Sequence, residues 1–251
     1  MISIDNIQKK QFISIFQMLK NTSNTIQIHI TENEFHIQGL DGSHVCLYDI
    51  TLLSSFFCDY KIEKNNEICL DSTIFSQILS FGVESEKIQF HIEEDIIEIC
   101  VIGKKDTKKF TIPLIENNYD WMGIPETTDY DVEFLIDTKM IQEYCGQLLL
   151  FGDTIHMTCN EHNIYFATSG TNGDMKIEVK IDDLIEYSLT EGMDMNIQYS
   201  LNYIQKILLS SKVFDQIKFH ISKTLPLKIS YPTINSVVDF YIAPKIDDDN
   251  I

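Results

Sequence analysis

TIQIHITENEFHIQGLDGS (residues 25–43) and TIHMTCNEHNIYFATSGTNG (residues 154–173) follow one plan. Each opens with alternating apolar and polar residues, turns at a short Asn/Glu stretch, alternates again and ends in a glycine-containing turn. Alternation at period two places one side of each run against a core, the mark of a half-buried strand pair. Each copy also follows a helical stripe. Phe12, Ile15, Phe16 and Leu19 recur at i, i+3, i+4 and i+7, and Ile141, Tyr144, Cys145 and Leu148 do the same before the second copy. The copies lie about half a chain apart, so the chain reads as an internal duplication.

The rest of the sequence agrees. In the first half, strands are expected at 45–52, 87–92, 96–102 and 109–115, with a second helical stripe at Ile74, Phe75, Ile78 and Leu79 capped by Asp71 or Ser72. In the second half, strands are expected at 176–181, 195–200, 216–221, 227–231 and 238–243. Asp137 is placed to cap the helix of Ile141, and Ser200 one that carries Tyr203, Ile204, Ile207 and Leu208. IENNYDWMGIPETTDYD (115–131) is polar, holds Gly123, Pro125 and the only tryptophan, and reads as an extended linker. The expected fold class is α+β: two similar domains, 1–114 and 132–251, each a set of antiparallel sheets with two short helices, joined by a connector at 115–131.

Bulk properties narrow the function. The 251 residues carry 38 acids against 19 bases, all of them lysine, for a formal net charge of −19. Such a surface repels nucleic acid and anionic membrane, so any DNA contact must be a local basic patch. Six cysteines include no CxxC pair and sit mostly in apolar runs, as expected of buried free thiols in a reducing compartment. No apolar run approaches the roughly 18 residues that span a bilayer, and the N-terminus lacks a signal-peptide layout. The chain reads as soluble and intracellular.

GLDGSHVCLYDI (39–50) gathers Asp41, Ser43, His44 and Asp49. A hydrolase would need a nucleophile, a base within reach and an oxyanion hole; here Ser43 and His44 are adjacent, in no GxSxG context. A metal site would need more converging ligands. The stretch reads as a turn between two strands, and no catalytic residue, metal or cofactor is expected.

Five motifs, LDGSHVCLYDITL (40–52), GIPE (123–126), LLLFGD (148–153), ATSGTNGD (167–174) and DFYIAPKIDDD (239–249), together resemble the DNA sliding clamps of the proliferating cell nuclear antigen (PCNA) family, in order and spacing along essentially the whole chain. The resemblance implies a ring of three protomers around duplex DNA, with inner helices and outer sheets. It implies a non-enzymatic polymerase processivity factor, opened by a clamp loader ATPase and serving replication and repair. The expected location is the nucleus, or a cytoplasmic replication site if the source is viral. It implies a pocket for partner peptides of the form Gln-x-x-apolar-x-x-aromatic-aromatic. Its walls here would be Leu40, His44, Val45, Leu47, Met122, Ile124, Pro226, Tyr241, Ala243 and Pro244. Trp121 either covers the pocket edge or pins the linker.

For the ring contact the resemblance points to Lys108, Lys109, Phe110 and Ile112 on one edge strand, and to Glu178, Lys180 and Asp182 near another. Lys108 and Lys109 would face Asp182 and Asp183 of the next protomer. Toward DNA it points to Lys9, Lys10, Lys20, Lys139 and Lys206. Ile13, Ser14, Gln77, Ser80, Glu143, Gly146, Asn202 and Leu209 stand where relatives usually carry bases, and Glu161 stands where eukaryotic relatives carry a modified lysine. The depleted lining keeps a second reading open: a clamp-like scaffold or mixed-ring subunit with little direct DNA contact.

Overall fold

The structure is a computed structural model that describes residues 1–116, 121–124, 129–209 and 211–245. The chain divides into two compact units. The first comprises Met1–Gly42, Tyr48–Gly123 and Thr233–Val238; the second comprises Ser43–Leu47, Ile124–Pro232 and Asp239–Ile251. The units thus exchange short segments that a simple split at 115–131 does not contain.

In the first unit, β1 (Ile2–Asp5) leads into α1 (Asn6–Thr22), followed by β2 (Thr25–Ile30), β3 (Glu34–Leu40) and β4 (Cys46–Leu53). Then come β5 (Asp59–Tyr60), β6 (Asn66–Asp71), α2 (Ser72–Ser80), β7 (Lys87–Ile92), β8 (Ile96–Ile102) and β9 (Thr107–Pro113). One sheet runs β5-β1-β7-β8-β9, and a second surface runs β4-β3-β2-β6. The α1 stripe forms because its apolar positions recur at helical spacing, and α1 packs beside α2. Phe12 and Phe16 touch at 4.6 Å, Phe16 meets Phe75 at 4.8 Å and Phe12 meets Phe90 at 5.5 Å, so one aromatic cluster ties both helices to β7. Of the two candidates, Asp71 and Ser72, it is Asp71 that caps α2, accepting from the Ile74 N–H at 2.7 Å.

The second unit repeats this with β10 (Val132–Asp137), α3 (Thr138–Leu148), β11 (Thr154–Cys159), β12 (Asn163–Gly170), β13 (Gly173–Lys180) and β14 (Glu186–Leu189). It continues with β15 (Met195–Ser200), α4 (Leu201–Leu208), β16 (Gln216–Ile221), β17 (Leu227–Ser230) and β18 (Ser236–Ile242). Its sheets run β13-β12-β11-β15 and β14-β10-β16-β17-β18. Phe134 stacks on Phe219 at 4.9 Å and meets Phe166 at 6.1 Å. Asp137 accepts from the Lys139 and Met140 N–H groups. Ser200 stands at the N-cap of α4 but makes no side-chain cap bond, so the expected hydroxyl cap is absent there.

Cys46, Cys69, Cys145 and Cys159 are buried free thiols, Cys100 is half-buried and Cys58 is exposed. Burial pushes Cys145 and Cys159 up to about 12, so neither is a thiolate near neutral pH.

The turn of the ATSGTNGD motif is a two-residue hairpin loop between Gly170 and Gly173, and Gly173 has φ +123°. A Cβ on Gly170 would lie 2.0 Å from the Phe151 carbonyl oxygen, a backbone atom that cannot swing aside. Gly170→Ala should therefore destabilise the second unit by about 2 kcal/mol, the size expected of a backbone clash with no local escape. A denaturant melt within experimental error of the parent would contradict this.

Candidate functional site

The connector start is held on the first unit. Gln38, at the end of β3, clasps Met122 through both backbone atoms: its Oε1 accepts from the Met122 N–H at 2.7 Å and its Nε2 donates to the Met122 carbonyl at 3.0 Å. The Trp121 ring lies on His36 at 4.8 Å and 28°, and its indole N–H donates to Glu67 at 2.8 Å. Trp121 therefore pins the linker, one of the two roles expected of it. Leu40, at the end of β3, is half-buried in the same unit.

Most of the other expected pocket residues belong to the second unit: His44, Val45, Leu47, Ile124, Pro226, Tyr241, Ala243 and Pro244. The Ala243 N–H donates to the Val45 carbonyl at 2.9 Å, so the residue after β18 and the approach to β4 are joined by backbone. Leu227 pairs with Ile242 and Lys228 with Tyr241. Extending that register by one residue sets Pro226 opposite Ala243. Lys228 bonds Asp239 at 2.8 Å and lies 5.7 Å from the Tyr241 ring centroid, holding the tyrosine from one side. Pro244 is exposed, and Val45, Leu47, Ile124, Tyr241 and Ala243 are half-buried. Pro125, Glu126 and the acidic end of DFYIAPKIDDD lie outside the described residues.

Ser43 and His44 are exposed in a turn from strand β3 to strand β4, and His44 has φ +58°. A nucleophile elbow joins a strand to a helix, so the geometry here is that of a tight turn instead. Among the described residues no group of three or more His, Cys, Asp or Glu is placed to hold a metal ion.

The lysines expected toward DNA divide. Lys10, Lys20 and Lys139 are exposed on α1 and α3. Lys206 is half-buried, with its ammonium 4.7 Å from the Tyr203 ring centroid. Lys9 departs from the expectation: it is 4% exposed, and its ammonium donates to the Ser85 carbonyl. Burial pushes it below the usual lysine range, against an opposing pull from Glu84. Its helical position points inward, beside Phe12 and Ile13. Gln77, Ser80, Glu143, Gly146, Asn202 and Leu209 are all exposed, so the helix faces carry neutral or acidic groups at these places. Glu161 is exposed in the β11–β12 turn.

β9 is the edge of the first unit's five-stranded sheet, and β13 is the edge of the second unit's four-stranded sheet. They are the longest edge strands whose outer side carries no strand of their own chain among the described residues. β6 is bridged at Cys69 by Ile115, and β15 is met by the Lys245 N–H at Gln198. β5 and β14 are short. Lys108 and Lys109 are exposed, and each already has an acid of its own protomer nearby: Lys109 bonds Glu98 at 2.8 Å and Lys108 lies 3.7 Å from Asp106. The Glu98 hydrogen bond raises Lys109 above the usual lysine range. Asp182 and Asp183 fall in a short turn beyond β13, not in the strand. Phe110, Ile112, Glu178 and Lys180 do lie on the two edges, with Phe110 stacked on Phe81 at 5.8 Å.

The duplicated helix-and-sheet unit, with two open strand edges and a tethered connector, defines a two-domain clamp fold. The model of the PCNA N-terminal domain matches residues 4–121, and that of the PCNA C-terminal domain matches residues 123–246. The chain is 25% identical to proliferating cell nuclear antigen of Caenorhabditis elegans, over 94% of this chain and 93% of that one. It is 23% identical to proliferating cell nuclear antigen 2 of Plasmodium falciparum, over 94% and 96%. The crystal structure of PCNA from Thermococcus kodakaraensis superimposes with a TM-score of 0.89 at 20% identity, covering 97% of this chain and 99% of that one. The chain belongs to the proliferating cell nuclear antigen family of sliding clamps.

Proposed function

We propose that three copies close head to tail into a ring that encircles duplex DNA and acts as a polymerase processivity factor. The observation that carries this is the pair of open edges, β9 on one unit and β13 on the other. Different surfaces that pair head to tail give a ring when the rotation closes. Strand addition across them would satisfy backbone groups otherwise left open. Light scattering should read about three times the 29.1 kDa protomer mass. A persistent 29.1 kDa species at micromolar concentration would refute the homotrimer.

Topology rather than affinity would hold the ring on DNA, which suits a lining with few bases. Lys10, Lys20, Lys139 and Lys206 are the phosphate contacts of this reading; Lys9 is not. Replacing those four with alanine should shallow the plot of log affinity against log salt by roughly 0.9 per phosphate contact removed. Lys9→Ala should leave the slope alone. An unchanged slope in the fourfold variant would mean that these lysines do not meet phosphate.

Partner proteins, including polymerase, the clamp loader and repair proteins, would dock aromatic anchors among Leu40, His44, Val45, Leu47, Met122, Ile124, Pro226, Tyr241, Ala243 and Pro244, by analogy with the family. The work is tethering, without catalysis, at a nuclear or viral replication site. The exposed neutral and acidic residues on the helices favour one alternative, a mixed ring or scaffold with little DNA contact. A monomer that trimerises only with a more basic relative would establish that alternative.

A further inference from the structure

We propose that Trp121 is a latch that fixes the connector start on the first unit's sheet and so sets how tightly partner peptides dock; the docking half rests on the pocket reading above. Four strands contribute to the seat. Gln27 and His29 on β2, His36 and Gln38 on β3, Asp49 on β4 and Glu67 on β6 form a connected polar surface. His29 stands between His36 and Glu67 in the register, and Gln27 stands beside Gln38.

Gln27 and Gln38 are only 6% and 5% exposed, so their amides require partners. They have them. Gln27 donates to Glu67 Oε1 at 2.8 Å, and the indole N–H of Trp121 donates to the same oxygen. Gln38 donates to Asp49 at 3.1 Å as well as clasping Met122, and His36 bonds Asp49 at 2.7 Å beneath the Trp121 ring. The indole thus meets a ring face and a carboxylate oxygen that are each already held by a second residue. A solvated linker has no need of such a seat. The Ile115 N–H also donates to Cys69 on β6 at 2.8 Å, so the connector is tied to this sheet at two places.

Met122, next in the chain, is an expected wall of the pocket. A connector already ordered loses less freedom when a peptide lies on it, and an unlatched one must be ordered during binding. Trp121 is in this sense a positioning residue.

The test uses the full chain, a synthetic peptide of the form Gln-x-x-apolar-x-x-aromatic-aromatic, and hydrogen exchange at the Met122 amide measured without peptide. Trp121→Ala should speed that exchange at least tenfold and weaken the peptide Kd about tenfold, equal to about 1.4 kcal/mol. Trp121→Phe, which keeps a ring but loses the N–H, and Glu67→Ala should fall between. An alanine variant that binds the peptide as tightly as the parent would overturn the latch. A parent that binds no peptide would instead overturn the pocket reading and the docking role with it, while protection of Met122 lost in the alanine variant would still support the anchoring.

Discussion

Phe110→Glu is expected to convert the proposed ring into 29.1 kDa protomers that remain folded. Phe110 sits in the middle of the open edge β9, opposite Ile99 of β8, and its ring lies nearly parallel to that of Phe81. Phe81 ends α2 and is 55% exposed, and Ile112 is half-buried one pleat further on. An aromatic pair left open beside an unpaired strand edge is what a neighbouring strand would cover. A carboxylate there removes one ring, strips Phe81 of its partner and must be taken out of water when the edge is covered, a cost of several kcal/mol. Every contact in a closed ring would be affected, so sedimentation at micromolar concentration should show monomer, and retention on circular DNA should be lost. The protomer itself should melt as the parent does, because Phe110 lies outside the buried core. A variant that keeps about three times the protomer mass would show that β9 is not the ring contact.

The aromatic pair is the target because exposed ion pairs such as Lys109–Glu98 contribute little, whereas an open aromatic pair offers apolar area to bury. The alternation of KKFTIPL shows which residues share a face, but not which are already paired. Glu98 lies one strand away and takes the Lys109 ammonium within the same protomer. Lys9 taught the same lesson on α1. Two adjacent lysines at a helix start look alike in sequence, yet a step of one residue is about 100° on a helix, which turns Lys10 outward and Lys9 toward Ser85. What was legible was periodic: the duplication, the helical stripes, the Asp71 and Asp137 caps and most strands. β1, β5 and β14, of four residues or fewer, are too brief for alternation to register, and β6 and β10 each bury three consecutive residues (Ile68–Leu70 and Phe134–Ile136), which breaks the period of two. Segment exchange between the units could not be read, since it depends on contacts distant in sequence. Trp121 announced itself only as a lone aromatic in a polar linker. Its seat is drawn from β2, β3, β4 and β6, all of them at least fifty residues before it in the chain.

Tyr241→Ala should weaken a partner peptide about 100-fold while leaving the protomer's melting midpoint and mass unchanged. The expectation begins with β18, where Phe240 and Ile242 point into the core and Tyr241 between them points out, half-buried. Lys228, opposite it on β17, is fixed by Asp239, and Asp239 in turn accepts from Ser230 at 2.7 Å. The tyrosine is therefore held by a side chain that is itself held, so its ring is presented with little freedom left to lose. Rigid aromatic groups of this kind are the residues whose truncation costs 2 kcal/mol or more in an interface, or roughly 30-fold and above. Because the ring contributes little to the buried core, its removal should cost binding far more than stability. Lys228→Met supplies the complementary measurement: it removes the ammonium but leaves the ring, and should cost less than Tyr241→Ala. A Kd for the alanine variant within threefold of the parent would take Tyr241 out of the pocket and leave the Lys228–Asp239 pair as part of the sheet surface alone.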